Sequence, residues 1–424
     1  MRFDTGVPQI RAHAPMLSRI KLAVNNLLGE LGYKIVRVRH DDEIVSAAKA
    51  HLAAASAKST DLPPLGERWG AYTKRLRSLI AELTTAEDLL AQAQSAAAGV
   101  ETHLDPVLLR QECRNFHLNM MTSLPPDLLE AFSSFQSPRL AVHKIEYLGR
   151  KLDFVSLCAI QTVLSLLHVL PCRPNKICDL GGGTGKYAYA WLTNTAHQPK
   201  LIVIVDLAET LVYSETLLRR EFGDRVQYLT GPAEHPNSSG IVLCPVANIE
   251  AIRSLRFDLV TNVGSMQEMS DKWVDWYMEW LDRQPCSYLY SSNYFGQPLD
   301  SMHEGHNSWS PRPSPSWRLV KSNITPGPRI GADMLFVRDN AQSELKTPSG
   351  RTLQAWLDHL ELARCRRDEA SYRQALAFAE TLPYTPKEAW QVARMLAQVT
   401  GATADREYFE RLDQQRRDGF EARH

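Results

Sequence analysis

The residues best placed to do chemistry gather in one stretch, residues 177–187, which reads ICDLGGGTGKY. Asp179, Gly181, Gly183 and Gly185 fall on a D-x-G-x-G-x-G pattern, with Gly182 inside it. Glycines let a backbone approach a ligand with no side chain in between and supply positive φ where a turn needs it. The run KYAYAWL that follows predicts a helix, whose first amides can meet a carboxylate. Twenty-seven residues beyond Asp179, the run LIVIVD ends in Asp206. A carboxylate there can accept both hydroxyls of a ribose, and that bidentate contact is geometrically specific.

Three glycine-loop templates compete for this stretch. A phosphate-binding P-loop needs G-x-x-x-x-G-K followed by Ser or Thr; here Tyr187 follows Lys186 and Leu180 holds the position of the first glycine. The dinucleotide fingerprint G-x-G-x-x-G places its third glycine at position 186, which is lysine. The D-x-G-x-G-x-G template is filled at every position and suits S-adenosylmethionine (SAM). That molecule carries an ammonium for Asp179 or its water shell, a carboxylate for the loop amides, and an unphosphorylated ribose for Asp206. The bland reading, in which Asp179 and Asp206 only cap strand ends, leaves the agreement of loop, strand, helix and second acid unexplained.

Methyl transfer from a sulfonium to an oxygen is an in-line displacement, so holding the acceptor oxygen close and aligned supplies much of the rate. A general base within reach of the acceptor hydroxyl would help. Such groups belong on the loops after the fourth and fifth strands, where open α/β sheets bind ligands. Glu268 is a candidate base there, or else a cap for the next helix. His303 and His306 lie in the polar loop SSNYFGQPLDSMHEGHNSW, and a histidine pKa of about 6.5 suits a base near neutrality. Asn262 would contact cofactor or acceptor, or satisfy loop amides; Gln267, Asn293 and Tyr294 are candidates to touch the acceptor. Glu268, Asp271 and Asp275 share roughly one helix face, but capping and solvation explain them better than a metal site, so no metal is expected. Trp273, Trp276, Tyr277 and Trp280, three and four apart, favour helix packing over a sugar-stacking platform.

The elements that must position these groups are strands alternating with helices. KICDL, LIVIVDL, IVLCP, FDLVTNV, YLYSS and MLFV read as strands of a mainly parallel sheet, with GADMLFVR as an antiparallel edge. The expected fold is α/β, a Rossmann-like core with a seven-stranded sheet over residues 135–345, a helical region at 1–134 and another at 346–424. Residues 17–31 and 47–57, a stretch over 75–98 and a buried segment over 147–167 read as helices, with breaks at Pro63-Pro64 and Pro125-Pro126. SPRPSPSW reads as an extended loop between strands. DEASYRQALAFAETLP resembles one tetratricopeptide helix, too little for a solenoid, and is taken as part of a helical cap.

With 48 basic and 48 acidic residues, no net field favours nucleic acid. Seven scattered cysteines without tight metal or redox spacing, and no secretory signal, predict a cytoplasmic setting. The most apolar run, residues 154–170, is too short for a membrane span. Arg11, Arg19, Lys21, Lys34, Arg37 and Arg39 on an amphipathic stretch leave peripheral membrane contact possible, though packing on its own domain is the simpler role. The oligomeric state is not encoded in any of these signals.

The glycine loop resembles motif I of the class I SAM-dependent methyltransferases. The block FDLVTNVGSMQEMSDKWVDWYMEWLD, residues 257–282, resembles a bacterial family of sugar O-methyltransferases, whose members carry a similar Asn and Ser-Met-Gln-Glu-Met after the fourth strand. The resemblance spans residues 135–340, and residues 265–269 are its more discriminating part. It implies SAM as cofactor and methyl transfer to a sugar hydroxyl of a glycan or glycosylated metabolite. O- or N-methylation of a non-sugar metabolite, or a SAM-binding interaction protein without turnover, are the alternatives. The chain departs from class I at the adenine position: Pro245 and Asn248 stand after IVLCP where an acid is usual, or Glu234 does if VQYLTGPAEH is the third strand.

Overall fold

In LIVIVD, residues 201–205 are all buried, which is how a strand covered on both faces reads. The protein's structure is a computed structural model that describes residues 41–55, 62–65, 67–95, 105–141, 143–293, 314, 316–322, 332–338, 363, 368–380 and 389–421. The stretch at 17–31 and the six basic residues between Arg11 and Arg39 lie outside them.

Among the described residues, five helices come first: α1 (Asp41–Ala55), α2 (Glu67–Glu82), α3 (Ala86–Ser95), α4 (Pro106–Ser123) and α5 (Pro126–Ser134). The helix expected over 75–98 is two. It begins earlier, at Glu67, and breaks where Thr85 caps α3: its hydroxyl accepts from Asp88 N at 3.1 Å and donates to the Asp88 carboxylate at 2.7 Å. The expected helix over 147–167 also needs correcting. Its first third is a hairpin, β1 (Ile145–Tyr147) against β2 (Arg150–Leu152), turned by Leu148 and Gly149, both at positive φ. Asp153 then caps α6 (Phe154–Val169), accepting from Ser156 N at 3.1 Å.

The α/β core follows as β3 (Lys176–Leu180), α7 (Lys186–Thr193), β4 (Leu201–Asp206), α8 (Ala208–Phe222), β5 (Val226–Tyr228), β6 (Gly240–Pro245), β7 (Phe257–Val263), α9 (Asp271–Arg283), β8 (Cys286–Asn293), β9 (Trp317–Ser322) and β10 (Ala332–Arg338). These strands form one sheet in the order β5-β6-β4-β3-β7-β8-β10-β9. The pairings from β5 to β8 are parallel, and β10 is antiparallel to both its neighbours. The doubly wound α/β architecture is as expected, with two differences. The sheet has eight strands, because the three-residue β5 adds an edge. The antiparallel strand in GADMLFVR is one in from the other edge, which β9 forms, taking up Trp317 from the end of the proline-rich loop.

Alternate residues of the central strands feed two apolar clusters. Ile177, Ile202, Ile204, Ile241 and Leu243 pack with α1, α2 and α6 to α8 on one face. Cys178, Val203, Val205, Val242 and Cys244 pack with α9 on the other. The aromatic run of α9 belongs to this second cluster: Trp273, Tyr277 and Trp280 are buried. The amino-terminal helices are tied to the core. His51 Nδ1 lies 2.8 Å from Glu215 Oε1 on α8, its ring stacks on Tyr228, and Arg219 Nε contacts the same carboxylate oxygen at 2.5 Å. α10 (Glu369–Glu380), α11 (Ala389–Thr400) and α12 (Thr403–Glu421) share a cluster of their own around Tyr372 and Leu396. Among the described residues, no helix is long and apolar enough to cross a membrane.

A buried ion pair joins the first two helices of the core. Lys186, at the start of α7, donates from Nζ to Asp153 Oδ1 at 2.7 Å, with both side chains almost inaccessible. Burial pushes the lysine down to about 7 and the aspartate up. Removing one partner of such a pair leaves an uncompensated buried group. Lys186→Met is therefore expected to cost about 3 kcal/mol or more in urea unfolding at pH 7, and adding Asp153→Asn is expected to recover part of that loss.

Candidate functional site

The strand order reverses between β3 and β7: the chain runs outward from β3 through β4 and β6, then crosses back to the other side of β3. Ligands of open α/β sheets sit at such a switch point, beyond the carboxyl ends of the strands. Asp179, Asp206, Asn262 and Asn293 all lie at that edge, on four neighbouring strands. A polar cleft of about 620 Å³, lined by Lys200, Asp224, Arg225 and Asn237, opens at the opposite edge of the sheet.

The parallel register sets Asp179 opposite Ile204 on β4 and Thr261 on β7. Thr261 Oγ1 donates to Asp179 Oδ1 at 2.7 Å, while Asp179 Oδ2 is buried with no hydrogen-bond partner. Burial pushes this carboxyl up to about 7; the Thr261 bond pulls against that and the Asp206 charge adds to it. Asp206 keeps some solvent access, yet protein atoms crowd its carboxylate, and burial holds it up at about 6. Gly183 N donates to its Oδ2 at 2.9 Å and Leu207 N to its Oδ1 at 2.7 Å. A carboxylate offers about four acceptor positions, so these two amides fix its orientation and leave capacity for a ligand.

The glycines are required by space as much as by φ. Gly181 has φ of 71°, and a Cβ there would lie 1.9 Å from Ser265 Oγ. A Cβ at Gly182 would lie 2.8 Å from Asp179 Oδ2 and fill the space beside that unpartnered oxygen. Some loop amides are already engaged: Gly181 N donates to Val205 O at 2.7 Å and Gly185 N to Gly182 O at 3.0 Å. Ser214 on α8 donates to Gly183 O, so the loop is fixed before any ligand arrives.

Asn262 takes the loop-satisfying role. Fully buried, it donates from Nδ2 to Leu180 O at 2.8 Å and accepts at Oδ1 from Met266 N and from Asn293 Nδ2. Asn293, 3% exposed, donates to Ser291 Oγ as well. The two asparagines thus join the ends of β3, β7 and β8. Glu268 closes a short 3₁₀ turn, Met266–Glu268, above them and keeps partial exposure; Ser270 takes the N-cap position of α9. The β6 strand is the neighbour of β4, so Pro245 and Asn248, not Glu234, follow the third strand out. Asn248 Nδ2 donates to Leu229 O at 3.0 Å, and Glu234 Oε2 accepts from Thr230 N. His303, His306 and Tyr294 lie outside the described residues, as does the side chain of Gln267. No group of three or more His, Cys, Asp or Glu suited to a metal occurs among the described residues.

Two aromatic residues missing from the sequence reading reach this edge from α2. Trp69 Nε1 donates to Glu268 O at 2.7 Å, and Tyr72 packs edge-on against Trp69. Nothing local in RWGAYTKRL marks them, because the contact spans about two hundred residues.

No family model and no curated protein matches the chain. Among solved structures, it is similar to the N-terminal domain of EvdMO1, crystallised in the presence of SAH and D-fucose, at 15% identity over 47% of this chain and 76% of that one, with a TM-score of 0.26. It is similar also to an rRNA methylase from Escherichia coli (10% identity, 69% and 100% covered, TM-score 0.29) and to the CurJ carbon methyltransferase (10%, 77% and 96%, 0.28). At that depth the likeness fixes neither ligand nor acceptor.

The Asp179 carboxyl gives a prediction with a definite sign. Its pKa is raised in the folded state, so its contribution to stability is full below the unfolded value near 3.8 and is lost as pH rises through about 7. Asp179→Asn keeps an acceptor for Thr261 and removes the charge. It is expected to raise the stability of the ligand-free protein by on the order of a few kcal/mol at pH 8 and by clearly less at pH 5, which lies partway up the window between about 3.8 and 7. Urea midpoints at the two pH values measure the difference.

Proposed function

We propose that the chain is a SAM-dependent O-methyltransferase whose acceptor is a sugar hydroxyl. One observation carries the cofactor: an unpartnered carboxylate oxygen of Asp179 lies beside the glycine turn, with a second acid, Asp206, held by that same turn one strand away. That pair fits a ligand with a cationic amino-acid end and vicinal hydroxyls, and a side chain at position 182 would crowd the unpartnered Asp179 oxygen. Asp179 would take the ammonium and Asp206 the ribose hydroxyls. When bound, SAM supplies a methyl group activated on a sulfonium for in-line transfer to an oxygen.

The chain's own residues must then hold the acceptor oxygen in line and relieve it of its proton. Glu268, on the loop after β7, is our candidate to accept that proton, with His303 and His306 as the others. Asn262 and Asn293 hold the strand ends on which Glu268 is mounted, so their contribution is positional. The sugar as acceptor rests on the resemblance of residues 257–282 to the sugar O-methyltransferases.

Purified protein given labelled SAM with sugar nucleotides, oligosaccharides, glycosylated aglycones and free aglycones is expected to label only saccharide-bearing acceptors. Label confined to free aglycones would replace the sugar reading. Glu268→Gln is expected to lower kcat by about a hundredfold or more with unchanged cofactor binding; an unaltered kcat removes Glu268 as the base.

A further inference from the structure

Helix α2 crosses the carboxyl edge of the sheet and is tied down after β7 and after β4. At one end, Trp69 Nε1 donates to Glu268 O after β7, and just upstream Pro64 O accepts from Trp273 Nε1 at 3.2 Å. At the other end, Arg77 Nε contacts Glu209 Oε1 at 2.5 Å, three residues past Asp206. Leu76, between these ties, is fully buried in the core. Residues 69, 72, 73, 76 and 77 recur at helical spacing, so one side of α2 faces the sheet.

Tyr72 lies between the ties. It is 8% exposed, and its hydroxyl has no hydrogen-bond partner. The hydroxyl of Tyr213 on α8 is also buried and unpartnered. Burial is the main cause that raises the Tyr72 pKa, and the charges of Tyr213, Asp206 and Glu268 raise it further. The phenol therefore keeps its proton at neutral pH and is available as a donor.

A buried hydroxyl left without a partner destabilises the fold. A vicinal diol explains it. Each alcohol of a diol donates one hydrogen bond and accepts others, whereas the Asp206 carboxylate can only accept. A complete diol site needs a donor on its other side. We infer that the Tyr72 hydroxyl is that donor, so that α2 and Asp206 together hold the ribose of a nucleoside ligand. This inference rests on the SAM reading and names a cofactor-contacting residue outside the glycine-loop core.

The test is Tyr72→Phe in the full chain, with competition binding of S-adenosylhomocysteine and of 5′-methylthioadenosine against labelled SAM. The two competitors share the ribose and differ at the amino-acid end. Loss of one hydrogen bond is expected to weaken both by a similar factor, about three- to tenfold. The ligand-free variant is expected to melt at the same temperature as the parent or higher, since an unpartnered buried group is gone. A loss confined to S-adenosylhomocysteine overturns the ribose assignment. Equal affinities in the two proteins, or a variant that melts several degrees lower, overturn the inference while leaving the SAM reading intact. No binding of SAM or either competitor by the parent protein overturns both.

Discussion

Two carboxylates crowded by protein at the ends of adjacent parallel strands, one of them with an unpartnered oxygen, set the terms for this structure. A buried acid without a cation shifts toward its neutral form, and both Asp179 and Asp206 do so, to about 7 and about 6. The fold opposes that shift with fixed dipoles: the Thr261 hydroxyl at one acid, the Gly183 and Leu207 amides at the other. The balance leaves a negative recess that is preorganised in shape and unsatisfied in charge. A ligand carrying a cation and hydroxyls relieves it, which is why the site and its strain are one feature.

The supports around that recess leave little freedom. Ser265 occupies the space a side chain at 181 would need, and Leu218 lies 2.8 Å from where a Cβ of Gly185 would fall. Asn262 connects three strand ends through its amide. These contacts tie the loop after β3 to the loop after β7, the two walls of the switch point, and to α8. Buried polar groups bonded on both sides of the amide, as Asn262 is, rigidify a core locally. Catalysis by alignment needs that rigidity, because small displacements of reacting atoms are costly.

The parallel strands were legible because strands covered on both faces read as unbroken apolar runs, and a terminal acid after such a run has few roles besides the ligand edge. The glycine spacing and Asp206 carried the ligand reading for the same reason. Elsewhere, local signals misled or were missed. Leu148 takes a positive φ that a branched apolar residue rarely adopts, so the hairpin at 145–152 reads as helix. Thr85 and Asp88 do spell a helix start, yet the apolar spacing runs through the break and conceals it. The edge strand β9 follows prolines and serines that signal loop. Trp69 and Tyr72 act through contacts between the amino-terminal helices and the sheet, which no window of sequence contains.

The central claim, that the Asp179–Asp206 recess awaits an adenosyl amino acid, is tested most directly by calorimetric titration with S-adenosylhomocysteine in buffers of different ionisation enthalpy. A cation brought to carboxyls that are partly protonated near pH 6.5 drives their protons off. Binding one ligand per chain with net proton release at pH 6.5, fading by pH 8, is the predicted result. Saturation by a pyridine dinucleotide with no heat from S-adenosylhomocysteine would contradict it.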